Sequence, residues 1–164
     1  MIKIAFGYKR QIGKDTSCNY LIQKYGGVKL SFAQPLYDIL HFAQDVCNFQ
    51  QSKDRKFLQF IGTEWARSIN ENVWIDLLIE QVKMCKHQNI YVSDLRFKNE
   101  FKALKDLNFI CIKIDGLQQQ QDGYFNHQSD IDLDNFNGWD YTIKNFNSLD
   151  NLYSQLDHII KNFY

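Results

Sequence analysis

The chain has 164 residues, 45% of them hydrophobic and 15% aromatic, which is near the size of one ordinary domain and ample for a single packed core. Lysine plus arginine and aspartate plus glutamate both number 19, so the balance argues against a protein built to coat nucleic acid, and any cations for phosphate chemistry must be gathered locally. Cys18, Cys47, Cys85 and Cys111 are too scattered for a zinc site or a disulfide framework. No apolar run approaches the ~20 residues of a membrane span, and no basic-then-apolar signal precedes the first strand, so the expected location is the cytoplasm.

In chain order, Ile2–Phe6 (IKIAF) predicts a short strand that runs at once into a polar, glycine-bounded loop. Lys14 to Tyr25 carries Cys18, Leu21 and Ile22 on one side and predicts a helix closed by Gly26-Gly27. Val28–Phe32 reads as a second strand, and Pro35, the only proline, suits the first turn of the helix that follows. Helical spacing recurs from Lys53 to Ser68 and from Val73 to about Lys86. Ile90–Ser93 is a short, β-branched strand, and Phe97, Phe101, Leu104 and Leu107 form the next helical stripe. Phe109–Ile114 and Tyr141–Lys144 predict two more strands, and Leu149 to Phe163 an amphipathic closing helix.

Strands separated by helices predict an α/β, three-layer fold: about five parallel strands with helices on both faces. Residues 116–140 break the pattern. They hold Gln118–Gln121, many Asn and Asp residues, and neither Lys nor Arg. They read as a mobile lid loop or as a disordered insertion. No repeat and no second-domain boundary divides residues 1–164.

The segment from Gly7 to Thr16 (GYKRQIGKDT) lies between a strand and a helix, the context in which glycine and lysine make a phosphate-binding loop. Phosphate oxygens need inward-pointing backbone N–H groups, the helix N-terminus adds its dipole, and Lys14 supplies a cation. Two departures stand out. Tyr8 occupies the position where the first glycine is usual, so Gly7 makes the loop one residue longer. Asp15 follows the lysine, and the hydroxyl arrives at Thr16. Lys9 and Arg10 add positive charge beside the loop, or are simply solvated.

After the strand Ile90–Ser93 come Asp94, Arg96, Asn99 and Glu100. Asp94 therefore stands at the C-terminal end of a parallel strand, where open α/β sheets bind ligands. It suits water-mediated Mg²⁺ binding or acceptor orientation, and Arg96 suits a transferring phosphoryl group. Arg67 is a second phosphate candidate or the partner of Glu64 or Glu71 along its helix. Phe32, Trp65 and Trp74 stack on a base or belong to the core. His127 is a lid residue near the donor base or an exposed loop histidine.

Five motifs occur in order: Gly13-Lys14-Asp15-Thr16 (GKDT); Phe32-Ala33-Gln34-Pro35-Leu36 (FA-x-PL); Gly62-Thr63-Glu64 with Arg67 and Trp74; Asp94-Leu95-Arg96-Phe97 with Asn99-Glu100; and His127-Gln128-Ser129-Asp130 (near H-x-SE). Together they span nearly the whole chain and resemble the bacteriophage-type deoxynucleoside monophosphate kinases of the P-loop nucleotide kinase superfamily. Beyond the loop length, Tyr37 stands where lysine is common, and Asp130 where glutamate is usual.

The resemblance implies ATP as donor, Mg²⁺ as cofactor, a (deoxy)nucleoside monophosphate as acceptor, and a P-loop kinase fold with a mobile lid. It implies a single domain with an acceptor-binding helical part at about 33–88 and a lid at about 116–140. Lys14, Asp94 and Arg96 become the expected catalytic residues. Gly7, Lys9, Arg10, Gly13, Lys14, Asp15, Thr16 and His127 become the ATP contacts. Phe32, Arg67, Trp74, Arg96 and Glu100 become the acceptor contacts, with Asp15 and Asp94 near the metal, through water. Expected partners are small-molecule nucleotides, with neither nucleic acid nor membrane, and homodimerisation stays open. A viral origin, with location in the host cytoplasm, is implied by the resemblance alone. The rival readings are another small-molecule kinase, such as a phosphomevalonate kinase of the related animal type, and a non-catalytic nucleotide-binding switch.

Overall fold

A computed structural model describes residues 1–116 and 127–163. Five parallel strands form one sheet in the order β2-β3-β1-β4-β5: β1 is Lys3–Gly7, β2 Val28–Leu30, β3 Ile90–Leu95, β4 Ile110–Gly116 and β5 Tyr141–Asn145. Strand alternation sorts the core into two halves. Ile4 and Phe6 point to one face with Tyr91, Ile112 and Ile114, under α1 (Lys14–Tyr25) and α8 (Leu149–Ile160). Ala5, Ile90, Val92 and Cys111 point to the other face, under α5 (Val73–Met84) and α6 (Lys98–Asp106). The predicted three-layer α/β architecture is the observed one.

Three local departures matter for the site. The strand expected over Val28–Phe32 stops at Leu30, because the N–H groups of Phe32 and Ala33 turn to the Asp94 carboxylate, at 3.1 and 2.9 Å, and leave the ladder. The chain then enters α2 (Gln34–Val46).

The helix expected over Lys53–Ser68 starts at α3 (Arg55–Gln59), capped by the Asp54 carboxylate, which accepts from Phe57 N–H at 3.0 Å. It widens into a π-type turn over Phe60–Trp65 before α4 (Ala66–Ile69). The wide turn leaves the Gly62 carbonyl to accept the Trp74 indole N–H at 2.8 Å, and π-type turns recur at functional sites.

The stretch 116–140, expected as one mobile loop, is ordered in its second half. α7 (Gln128–Ile131) is a single helical turn. Leu133 is buried in the core, and Phe136 and Trp139 pack edge-on against Phe101. Apolar side chains three positions apart carry this packing, in a stretch whose composition reads as polar. Residues 117–126, including the glutamine run, lie outside the described residues. Among the described residues, no helix is long and apolar enough to cross a membrane.

Candidate functional site

Parallel strands all present their C-terminal ends to one edge, so the loops after β1, β2 and β3 meet there. The loop after β1 turns sharply. Tyr8, at φ 94°, takes the left-handed conformation a glycine would adopt, Gln11 does so at 56°, and Gly13 at 98° hands the chain to α1. A non-glycine residue held there costs about 1–3 kcal/mol, a strain that clusters at functional sites. Tyr8 is braced by Lys113, whose ammonium lies 4.0 Å from its ring centre.

Gly7 is needed for close approach. An added Cβ would meet the Trp139 ring at 2.4 Å and the Leu95 carbonyl at 2.9 Å. Gly7→Ala is expected to cost about 1–3 kcal/mol, read as a lower urea midpoint. An unchanged midpoint would show that Trp139 moves aside freely.

A cavity of about 790 Å³ opens beside this loop, within the size range of small-molecule sites. Of the residues expected to bind the donor, Arg10, Lys14 and Asp15 border it. Asp94, Arg96 and Glu100 border it from the end of β3 and the start of α6. Phe32, Arg67 and Trp74, expected as acceptor contacts, also border it. Gly7, Gly13 and Thr16 belong to the loop and the first turn of α1 but do not line the cavity.

Lys14 is only 6% exposed, and its ammonium donates to the Lys9 carbonyl inside the loop. Burial, reinforced by Arg96, lowers its pKa to about 7, against the opposing pull of Asp94, Asp15 and Asp130. Lys9 itself turns away from the cavity: it is paired with the Asp134 carboxylate and donates to the Asp130 carbonyl at 2.8 Å.

Asp94 has a structural duty as well as its place on the cavity wall. Its Oδ2 accepts from Ser31 Oγ at 2.7 Å and from Ala33 N–H, and its Oδ1 from Phe32 N–H. Asp15 is exposed and lies 3.3 Å from Lys29. The partner of Arg67 is neither Glu64 nor Glu71 through its carboxylate. Arg67 Nη2 pairs with Glu100 at 2.5 Å, its Nη1 donates to the Glu71 carbonyl, and Phe97 covers the guanidinium at 4.1 Å. Glu100 is 2% exposed and also accepts from the N–H groups of Arg96 and Phe97, which starts α6 with a capping contact. Burial nonetheless pushes its pKa up to about 7, with Arg67 and those N–H groups pulling it down.

Phe32 and Trp74 are buried, so core packing is the role the structure shows for them, with one edge on the cavity. Trp65 is half exposed and does not line the cavity. His127 does not line it either. Its Nδ1 faces Ser129 Oγ at 2.8 Å and its Nε2 faces Glu64 at 3.0 Å, so it ties α7 to the π-type turn.

Sequence reasoning missed Arg55 and Lys53 and gave Asp130, a motif position, no role. Asp130, whose side chain is 6% exposed, stands within 3.0 Å of Arg10 Nε, 3.2 Å of Arg96 Nη1 and 3.6 Å of Arg55 Nη2. Arg55 and Lys53 line the cavity at the entry to α3. Lys53, Arg55 and Lys56 are three cations within four residues, a local signal that could have marked them. Asp130 was visible only as a departure in the H-x-SE-like motif, which carried no role for its carboxylate.

No protein-family model matches the chain. The "Putative deoxynucleotide monophosphate kinase" of Acanthamoeba polyphaga mimivirus is 27% identical over 182 aligned positions, which cover 92% of this chain and 91% of that protein. The "Uncharacterized protein ORF77" of Ictalurid herpesvirus 1 (strain Auburn) is 32% identical over 115 positions, 68% of this chain but 49% of that protein. Among solved structures, the dephospho-CoA kinase from Campylobacter jejuni superposes with a TM-score of 0.59 at 18% identity, covering 98% of this chain and 96% of its own. That likeness shows the fold. The chain shares the α/β fold of that P-loop kinase, and along nearly its whole length it resembles the mimivirus protein.

Proposed function

We propose that the protein transfers the γ-phosphate of ATP to a nucleoside monophosphate, with a deoxynucleotide as the preferred acceptor. The observation that carries this reading is the shared wall of one cavity. Lys14, Asp94, Arg96, Arg67, Phe32 and Trp74 all border it. Phosphoryl transfer asks a protein for positioning and charge neutralisation more than for covalent chemistry, and that wall supplies both.

In this scheme the backbone N–H groups of residues 7–14 cradle the donor phosphates, with Thr16 reaching an α or β oxygen. The Lys14 ammonium follows the transferred group. Arg96 meets the charge that develops on its equatorial oxygens. Arg67, fixed by Glu100 and the Glu71 carbonyl, is a stationary positive charge for the acceptor phosphate. The apolar edges of Phe32, Leu36 and Trp74 suit a flat base and exclude water from it.

Magnesium fits this donor set only as an ion that arrives with the phosphates. Among the described residues, no group of three or more His, Cys, Asp or Glu side chains could hold a metal alone. Mg²⁺ takes most of its ligands from water and phosphate, so Asp94 and Asp15 suffice as outer partners, and the ion would supply charge neutralisation at the phosphate oxygens.

The test is ADP release from ATP and Mg²⁺ against the four standard deoxynucleoside monophosphates, their ribose counterparts and phosphomevalonate. Turnover is expected with at least one deoxynucleotide and at a higher kcat/KM than with its ribose form. Silence across the nucleotides, with ATP still bound, would overturn the proposal.

A further inference from the structure

Transferring a phosphoryl group needs several cations at one point, and cations gathered at one point repel one another. The cavity solves that problem with a carboxylate from an unexpected place. Arg10 comes from the loop after β1, Arg55 from the start of α3, and Arg96 from the loop after β3. They are far apart in sequence, yet all three reach the Asp130 carboxylate.

We propose that Asp130 is a positioning residue: it gathers the guanidinium groups of Arg10, Arg55 and Arg96 on the cavity wall and holds them in the geometry that meets the phosphate oxygens. The proposal rests on the phosphoryl-transfer reading of this cavity and assigns to α7 the task that a cationic lid would perform.

The position of Asp130 is set without help from the arginines. Leu133 is buried in the core a few residues on, and Asp132 Oδ2 accepts the Lys98 N–H at 2.8 Å. His127 faces Glu64, and Lys9 grips both the Asp130 carbonyl and the Asp134 carboxylate. With its backbone pinned on three sides, the carboxylate is the fixed point to which the longer arginine side chains adapt. Its Oδ1 accepts from Arg96 and touches Arg10, while its Oδ2 is buried and accepts no hydrogen bond among the described residues, with Arg55 as its charge partner. A guanidinium has five N–H donors in a rigid fork, so pairing one edge with Asp130 fixes the plane and leaves other donors to face the cavity. Residues 116–140 hold no lysine or arginine, so this segment contributes to the site by orienting cations that the core provides.

The experiment separates positioning from simple charge balance. Asp130→Asn makes the site more positive by one charge. If Asp130 acted only as a counter-charge, the variant would bind inorganic tripolyphosphate more tightly. If Asp130 positions the arginines, binding weakens, by about fivefold or more, because three contacts lose their common geometry. Titration calorimetry with tripolyphosphate on the full chain reads this without turnover. Tighter or unchanged binding would overturn the proposal.

With the best acceptor of the nucleotide panel, Asp130→Asn is expected to lower kcat at least tenfold with a smaller change in the KM for ATP, and Asp130→Glu to recover most of it. A kcat within twofold of the wild type would also overturn the proposal. Should Asp130→Asn fail to fold, the double variant Asp130→Asn/Arg55→Gln restores the charge count. Its kcat and tripolyphosphate affinity should fall below those of Arg55→Gln alone, and values equal to or above those of Arg55→Gln would count against positioning. A wild type that turns over no nucleotide but shows the expected tripolyphosphate weakening would sink the kinase reading and leave the arginine-positioning role intact.

Discussion

Lys14→Met is expected to lower turnover by about 100-fold or more while leaving the protein folded. Removing one preorganised donor from a transition-state site costs roughly 10²–10³ in kcat, and Lys14 is the one ammonium that the loop holds inside its own turn. The loss should fall on kcat more than on the KM for ATP, because in the proposed scheme backbone N–H groups, which methionine leaves in place, hold the ground-state phosphates. A variant that keeps normal turnover would remove Lys14 from the mechanism.

The ionisation of Lys14 supplies an independent check. Burial and Arg96 bring its pKa down to about 7, against about 10.4 for a lysine in the unfolded chain. Between those values the unfolded chain binds the extra proton. The contribution of this group to stability is therefore full above about pH 10 and is lost as the pH falls toward 7. Methionine has no charge to desolvate, so Lys14→Met should be at least as stable as the wild type at pH 7 and should lack the rise in stability with pH. Phosphate oxygens next to the amine favour its charged form. ATP binding at about pH 8 should therefore take up a proton, seen as a dependence of the binding heat on buffer ionisation, and Lys14→Met should show no such uptake.

The residues that made the fold legible were those whose partners are close in sequence or fixed by a period. Ile4, Ala5 and Phe6 alternate between the two core halves, and Leu152, Leu156, Ile159 and Ile160 repeat at helical spacing, so strand and helix followed from pattern alone. The turn between β1 and α1 was legible despite Tyr8, because its strand-loop-helix context is plain in the pattern. Long-range pairing was less readable. Arg67 has Glu64 and Glu71 within one turn, yet it pairs with Glu100, 33 residues away, because the π-type turn rotates it toward α6. Asp130 was legible as a motif position but not in its partners, because Arg10, Arg55 and Arg96 come from elements far apart in sequence. His127 drew attention through its motif, and the structure gives it Glu64 and Ser129 as partners. Charge networks between elements thus escaped a reading built on local spacing.

The Arg67–Glu100 pair yields the largest expected effect on stability. With side chains 9% and 2% exposed, it is a buried ion pair, and removing one member strands the other charge in the interior. Glu100→Ala is expected to cost about 3–5 kcal/mol, measured by urea unfolding, since Arg67 loses its carboxylate and the N–H groups of Arg96 and Phe97 lose an acceptor. The intact pair is nevertheless a poor source of stability. Burial raises the Glu100 pKa to about 7 from the usual value near 4.3, so the folded state binds the extra proton between those values. Its favourable share of stability is full below about pH 4 and falls away as the pH rises through 7. Glu100→Gln, which cannot titrate, should lose that slope. Replacing both partners, as Arg67→Met/Glu100→Met, should regain most of the stability lost in Glu100→Ala, because an apolar pair avoids the desolvation of two charges. The same double variant should still lose turnover by at least tenfold, since the fixed cation beside the acceptor is gone. Regained stability together with regained activity would show that the pair serves the fold alone. Regained stability without activity would mean that the chain keeps a costly buried charge for the sake of its substrate.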